Sequence, residues 1–105
     1  MAIRVPLTLY EFNDETVHAV ILDASMNPLD CTGKSVEFVY KTDTGMSEAA
    51  AIRLPGIFTD ALVGACDFSV PSQYVLLANK FYRIDVISNG IRKTAAYGPV
   101  TVVDL

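Results

Sequence analysis

His18 is the only histidine in this 105-residue chain, and Cys31 and Cys66 are its only thiols. General acid–base or nucleophilic catalysis needs a group to activate and a second group to orient the first. A single histidine removes most common zinc ligand sets, and two isolated cysteines without a C-x-x-C pairing offer no structural zinc site. His18 lies between Val17 and Ala19 in an alternating stretch, so it is expected on the opposite face from them, as a surface or interface side chain. Asp14, Glu15, Asp23, Asp30, Asp43 and Asp60 could gather around calcium, which takes about six to eight oxygens. Their spacing matches no calcium motif, and aspartate bends turns by bonding its own backbone. There is no glycine-rich phosphate loop and no G-x-S-x-G. A carboxylate pair for glycoside hydrolysis would need a deep cleft, for which a sandwich of this length has little room. The expected catalytic, cofactor-binding and metal-ligating residues are therefore none, and the chain reads as a non-enzyme.

Composition narrows the classes further. Half the residues are hydrophobic (51%) and 19% are charged, with a formal net charge of -4. That hydrophobicity excludes intrinsic disorder, and no apolar run approaches the ~20 residues that span a bilayer. An acidic chain whose longest basic cluster is Arg92-Lys93 has no footprint for a phosphate backbone, so neither nucleic acid nor membrane is an expected partner. The N-terminal MAIRVPLTLYEF lacks a signal-peptide pattern, which makes synthesis in a reducing cytoplasm the expectation. Cys66 lies in an apolar strand pattern and reads as a small buried hydrophobe. Whether Cys31 and Cys66 pair stays open, with free thiols favoured in that compartment. The apolar excess fits either a standing protein–protein contact or a densely packed sandwich with alanine-rich surfaces.

The elements that would position these residues are short apolar runs separated by Gly, Pro, Asn and Asp clusters. Strands are expected at Val5–Tyr10, Val17–Leu22, Ser35–Lys41, Ala50–Leu54, Leu62–Val70, Phe81–Ser88, Ile91–Ala96 and Val100–Val103. Pro6 marks the first as an edge strand. Val36, Phe38 and Tyr40 should face inward with Glu37 and Lys41 outward, and Tyr82, Ile84 and Val86 should oppose Arg83 and Asp85. Leu62 and Gly64 should share a face with Cys66, Phe68 and Val70. Thr42–Gly45 reads as a hairpin loop, and Asn89-Gly90 supplies the two positive-φ positions of a type I′ turn. Pro55-Gly56 and Gly98-Pro99 are expected to break strands. At most one short helical turn is expected, near 71–78. The whole chain, 1–105, reads as one all-β domain, an immunoglobulin-like antiparallel sandwich of about seven or eight strands.

The stretch Asn13–Thr16, the strand Val17–Leu22 and the run DASMNPLDCTGKSVEFVY resemble the N-terminal immunoglobulin-like domain of phage upper baseplate proteins and related tail and virion proteins. The family's D-x-x-G-x-P-x-D-L-T-G turn is matched by Asp23, Asn27, Pro28, Leu29, Asp30, Thr32 and Gly33. Met26 stands at the turn glycine and Cys31 at the leucine. Tyr82, Ile84, Asn89-Gly90, Thr94 and the closing valine strand resemble the family's later half. The resemblance implies a structural protein of a tailed-phage virion, docking onto other virion proteins at the tail or baseplate. It implies assembly into the particle or homo-oligomerisation, with no cofactor.

Edge strands can add to a neighbour's sheet, which makes Val5, Leu7, Leu9, Val100 and Val102 the candidate docking residues. The competing expectation is that both terminal strands complete the chain's own sheets. Two other functional readings stand beside the tail: capsid decoration, and a carbohydrate- or host-surface-binding module. The last would need exposed aromatics for stacking, for which Tyr10, Tyr74 and Tyr97 are the candidates.

Overall fold

The computed structural model describes residues 2–10, 13–41, 51–75 and 81–103. Among these the chain is all-β, with eight strands in one curled sheet and no α-helix. The strands are β1 (Ile3–Arg4), β2 (Leu7–Tyr10), β3 (Glu15–Val20), β4 (Ser35–Lys41), β5 (Ile52–Asp60), β6 (Ala65–Val70), β7 (Phe81–Ser88) and β8 (Ile91–Val103). Their order is β1-β8-β7-β4-β5-β6-β3, and β2 also pairs with β8. β1 and β2 run parallel to β8, whereas the other pairs are antiparallel.

The alternation in β4 and β7 is realised as expected. Val36, Phe38, Tyr40, Tyr82 and Ile84 are buried in one core cluster with Leu9, Val17, Ile21, Leu54, Phe68, Val70 and Val100. Phe38 organises its centre. It stacks on Tyr82 (5.4 Å, 12°), meets Tyr40 edge-on (5.6 Å, 89°) and lies tilted on Phe68 at 5.8 Å, arrangements that suit the ring quadrupoles. Asn89 (φ 53°) and Gly90 (φ 78°) adopt the two positive-φ positions of the β7–β8 hairpin.

Elsewhere the elements differ from the sequence expectation. Pro55-Gly56 does not end a strand, because β5 runs through it and changes partner there. Residues 52–55 pair with β4 and residues 56–60 with β6. A Cβ on Gly56 would lie 2.4 Å from the Phe68 ring and 2.7 Å from Val36, so the glycine lets the bending strand approach the core. Gly98-Pro99 likewise does not interrupt β8. A Cβ on Gly98 would lie 2.3 Å from the Val5 carbonyl oxygen, and the link between β1 and β2 crosses β8 there. The first expected strand is instead two, β1 and β2, divided at Val5-Pro6. The Val5 carbonyl accepts the Tyr82 hydroxyl at 2.6 Å and its N–H donates to the Tyr97 carbonyl at 2.8 Å.

The second expected strand begins at Glu15 and ends at Val20, with Leu22 in an isolated bridge to Pro28. The expected strand at Leu62 starts only at Ala65. Residues Ala61–Val63 form a 3-10 turn, capped by Asp60 and closed by left-handed Gly64. Leu62 therefore does not share the core face of Cys66 and is exposed. The helical turn after Pro71 is a 3-10 turn at Ser72–Tyr74, whose first N–H donates to Asp14 at 2.7 Å. The expected hairpin loop Thr42–Gly45 lies outside the described residues.

Candidate functional site

Register, rather than sequence proximity, assembles the most chemically distinctive surface. On the convex face of the sheet, Arg4 of β1 stands opposite Tyr97 of β8 and Tyr97 opposite Arg83 of β7. Arg83 in turn faces Val39 of β4, and Val39 faces Arg53 of β5. Directly opposed residues on one face have Cβ atoms about 5 Å apart, so these five form a cross-strand row. A parallel row holds Lys41, Phe81 and Pro99. On the other side lies an acidic row of Glu37 and Asp85, with Thr94 brought opposite Asp85 by a β-bulge at Ile84/Asp85.

Asp85 is fully buried on this face. Its Oδ2 accepts from Arg83 Nε and Arg92 Nη1, and its Oδ1 accepts the Thr94 hydroxyl, each at 2.9 Å. Glu37 extends the network, accepting from Arg53 and Arg92 at 3.0 Å each. The Arg92 guanidinium is held above its ordinary value, first by its hydrogen bond to Asp85, against a smaller desolvation effect. A carboxylate removed from water survives only with several good donors, and Asp85 has three. The network fixes the register of β7, β8 and β4 and orients Arg83 from its Nε side. The sequence placed Arg83 and Asp85 outward but carried no sign of this network, since its members are scattered along the chain.

The candidate docking residues divide. Leu9 and Val100 are buried, and Leu7 and Val102 pack against the core. Val5 alone is exposed. The edge of β8 is occupied by β1 and β2, so the free strand edges among the described residues are those of β1–β2 and β3. Tyr10 and Tyr97 are exposed, while Tyr74 is half-buried against the core. Tyr10 sits opposite Val103, six residues along β8 from Tyr97 and so about 20 Å away at ~3.3 Å per residue. The three tyrosines do not form one stacking platform.

His18 projects outward, as its flanks implied, with Nδ1 2.6 Å from Asp67 Oδ1 across the β3–β6 pair. Cys31 and Cys66 are both buried and free; burial pushes the Cys66 thiol up to about 11 and raises Cys31 as well. Asp23 and Asp30 act within their own turns. Asp23 accepts the Ser25 and Asn27 N–H groups at 2.8 and 3.0 Å. Asp30 accepts the Thr32 hydroxyl and N–H at 2.7 and 3.0 Å, which hold its carboxyl below the usual range. Among the described residues no three His, Cys, Asp or Glu side chains cluster as a metal site.

No family model matches the chain, and no curated protein matches it. Among solved structures, the fold is similar to part of a DUF4784 family protein from Bacteroides caccae. The TM-score is 0.50 at 12% identity, over 96% of this chain and 22% of that one. The chain thus spans about a fifth of that protein, and at such identity the likeness concerns the fold alone.

Proposed function

We propose that this chain is a non-enzymatic structural protein of a tailed-bacteriophage virion, an immunoglobulin-like module that docks onto other virion proteins at the tail or baseplate. The observation that carries the reading is the Asp23–Gly33 turn, the segment with the most specific resemblance to phage baseplate domains. Its first aspartate caps the turn, its second caps the bend before β4, and Met26 at the family's glycine position has a φ of 65°, a conformation natural to glycine. The turn is clamped by Leu29 N–H to Ile21 carbonyl (2.9 Å) and Cys31 N–H to Ala61 carbonyl (2.7 Å).

The finer architecture belongs to the same proposal. With β5 divided at Pro55/Gly56, one layer is β3, β6 and the second half of β5. The other layer is β8, β7, β4 and the first half of β5. Terminal strands parallel to the last strand, and a core of inward residues from both layers, fit an immunoglobulin-like sandwich.

Exposed strand edges and exposed apolar side chains such as Val20, Ile57, Leu62 and Ile91 support docking as the role. Cross-linking mass spectrometry on purified particles of the phage encoding the chain tests it. Links from Lys34 or Lys93 to tail or baseplate proteins are expected. Links to the major head protein would replace the tail location by capsid decoration, and absence of the chain from particles would overturn the proposal.

A further inference from the structure

The two free edges of the sheet are built differently. The six residues of β3 pair with β6 in unbroken register, from Glu15↔Val70 to Val20↔Ala65. Just beyond them the Ile21 N–H donates to the Gly64 carbonyl at 2.9 Å. Bonded and unbonded residues alternate along an antiparallel pair, so Val17 and Ala19 turn their backbone groups to β6. Those of Thr16, His18 and Val20 point the other way, to an edge with no neighbouring strand among the described residues. All three side chains are exposed. Natural edges are blunted by lysine, proline, a bulge or shortness, and β3 has none of these. The opposite edge has several. It is split at Pro6 and carries Arg4, and the Tyr10 N–H and carbonyl are taken by Glu15 (3.1 Å) and the Asn13 N–H (3.2 Å). Between Leu7 of β2 and Val17 of β3 lies an apolar cavity of about 330 Å³, with exposed Val5, Val20 and Met26 at its rim.

We infer that the β3 edge is a self-association surface, on which β3 of a second copy of this chain pairs antiparallel about a two-fold axis centred on His18. In that register Thr16 stands opposite Val20 of the second copy, His18 opposite His18, and Val20 opposite Thr16. Every outward N–H then meets an outward carbonyl. A two-fold contact must match itself, and β3 does so on both faces. Outside, Thr16 and Val20 make a pair of β-branched side chains; inside, Val17 falls opposite Ala19, which keeps the core side apolar. The charges match as well. β3 and β6 carry no lysine or arginine, and Glu15 falls opposite Ile21, so no carboxylates meet. The two imidazoles brought together are each held by their own Asp67 at 2.6 Å, which gives the row Asp67–His18–His18–Asp67 with each ring beside a carboxylate. Joining the two sheets also covers Val20 and the apolar rim, which the chain alone leaves to water.

The test is sedimentation equilibrium of the full chain, beside amide hydrogen exchange at the same concentrations. One six-residue edge with an apolar rim belongs with interfaces below about 1,200 Å², so the dissociation constant should be on the order of 10–100 μM. Across that range the average mass should climb from 11.4 kDa toward twice that value. The amides of Thr16, His18 and Val20 should gain protection as it climbs, while those of β1 and β2 should not change. Val20→Lys puts a guarding cation on an already exposed position and should weaken the dimer roughly 5- to 20-fold, because two-fold symmetry counts each cross-strand pair twice. Leu62→Lys, the same change of charge on a remote exposed turn, should leave it intact. A chain that stays monomeric at about five times the upper estimate would overturn the inference and leave the edge to a strand of another protein. So would a dimer indifferent to Val20→Lys, or protection gained at β1 and β2 instead. The composition of phage particles has no bearing on these outcomes, so this inference and the virion proposal fail separately.

Discussion

Replacing Asp85 by alanine should be among the most destabilising single changes on the surface layers of this protein. The carboxylate is wholly buried and accepts three hydrogen bonds at 2.9 Å, two from guanidinium groups. Hydrogen bonds involving a charged group contribute about 1.5–3 kcal/mol each, and breaking a buried pair by removing one partner costs about 3–5 kcal/mol. Two effects reduce the loss here. The Arg83 and Arg92 side chains are 20% and 37% exposed, so they recover water, and the desolvation penalty of the carboxylate disappears with it. The expected net destabilisation is therefore about 3 kcal/mol, with Asp85→Asn costing less because one acceptor oxygen remains. Glu37→Gln should cost under about 1 kcal/mol, because that carboxylate is 21% exposed and its partners are near the surface. Urea unfolding at pH 7 measures all three, provided the slope m is unchanged. An Asp85/Arg92 double-mutant cycle should return about 1–2 kcal/mol of coupling. A loss below about 1 kcal/mol for Asp85→Ala, or one no larger than for Glu37→Gln, would refute the view that this network locks the sheet register.

Three further outcomes follow from the geometry. Met26→Gly should stabilise the fold by about 0.5–1 kcal/mol, because Met26 is exposed and holds φ 65°, where a side chain costs about 1–2 kcal/mol; a lower melting temperature would contradict this. Tyr40→Phe should be neutral or stabilising by up to about 1 kcal/mol, since the buried Tyr40 hydroxyl has no hydrogen-bond partner, and a clear destabilisation measured in urea would show that the hydroxyl is satisfied. Alkaline pH should weaken the fold. Burial raises Cys66 from 9.0 to about 11 and Tyr40 from 10.0 to about 12. A raised folded value means the stabilisation is complete below the unfolded value and lost as pH climbs to the folded one. Roughly 2–3 kcal/mol should therefore disappear between about pH 8.5 and 10.5, less in Cys66→Ala; a flat stability profile there would exclude the burial of both groups.

The parts of the fold legible in the sequence are those where one local rule decides. Val36, Phe38 and Tyr40 alternate in β4, and the β7–β8 hairpin alternates about Asn89-Gly90, so their core faces are readable. Pro55-Gly56 and Gly98-Pro99 read as breakers because proline lacks a donor and glycine lacks a side chain. In the folded chain those same properties let β5 change partners and let β8 pass beneath the Val5 carbonyl. Leu62 continued an apolar alternation that tertiary structure spends on an exposed turn. The cross-strand row on the convex face was not legible at all. Arg4, Lys41, Arg83 and Tyr97 become neighbours only through strand register, and the bulge that delivers Thr94 to Asp85 has no sequence mark.

The measurement that bears most directly on the proposed role is the copy number and position of this chain on purified phage particles. Quantitative mass spectrometry with antibody labelling in the electron microscope would supply both. The account predicts a low, fixed number of copies with label on the tail or baseplate. Gradient-pure particles that lack the chain altogether would contradict it.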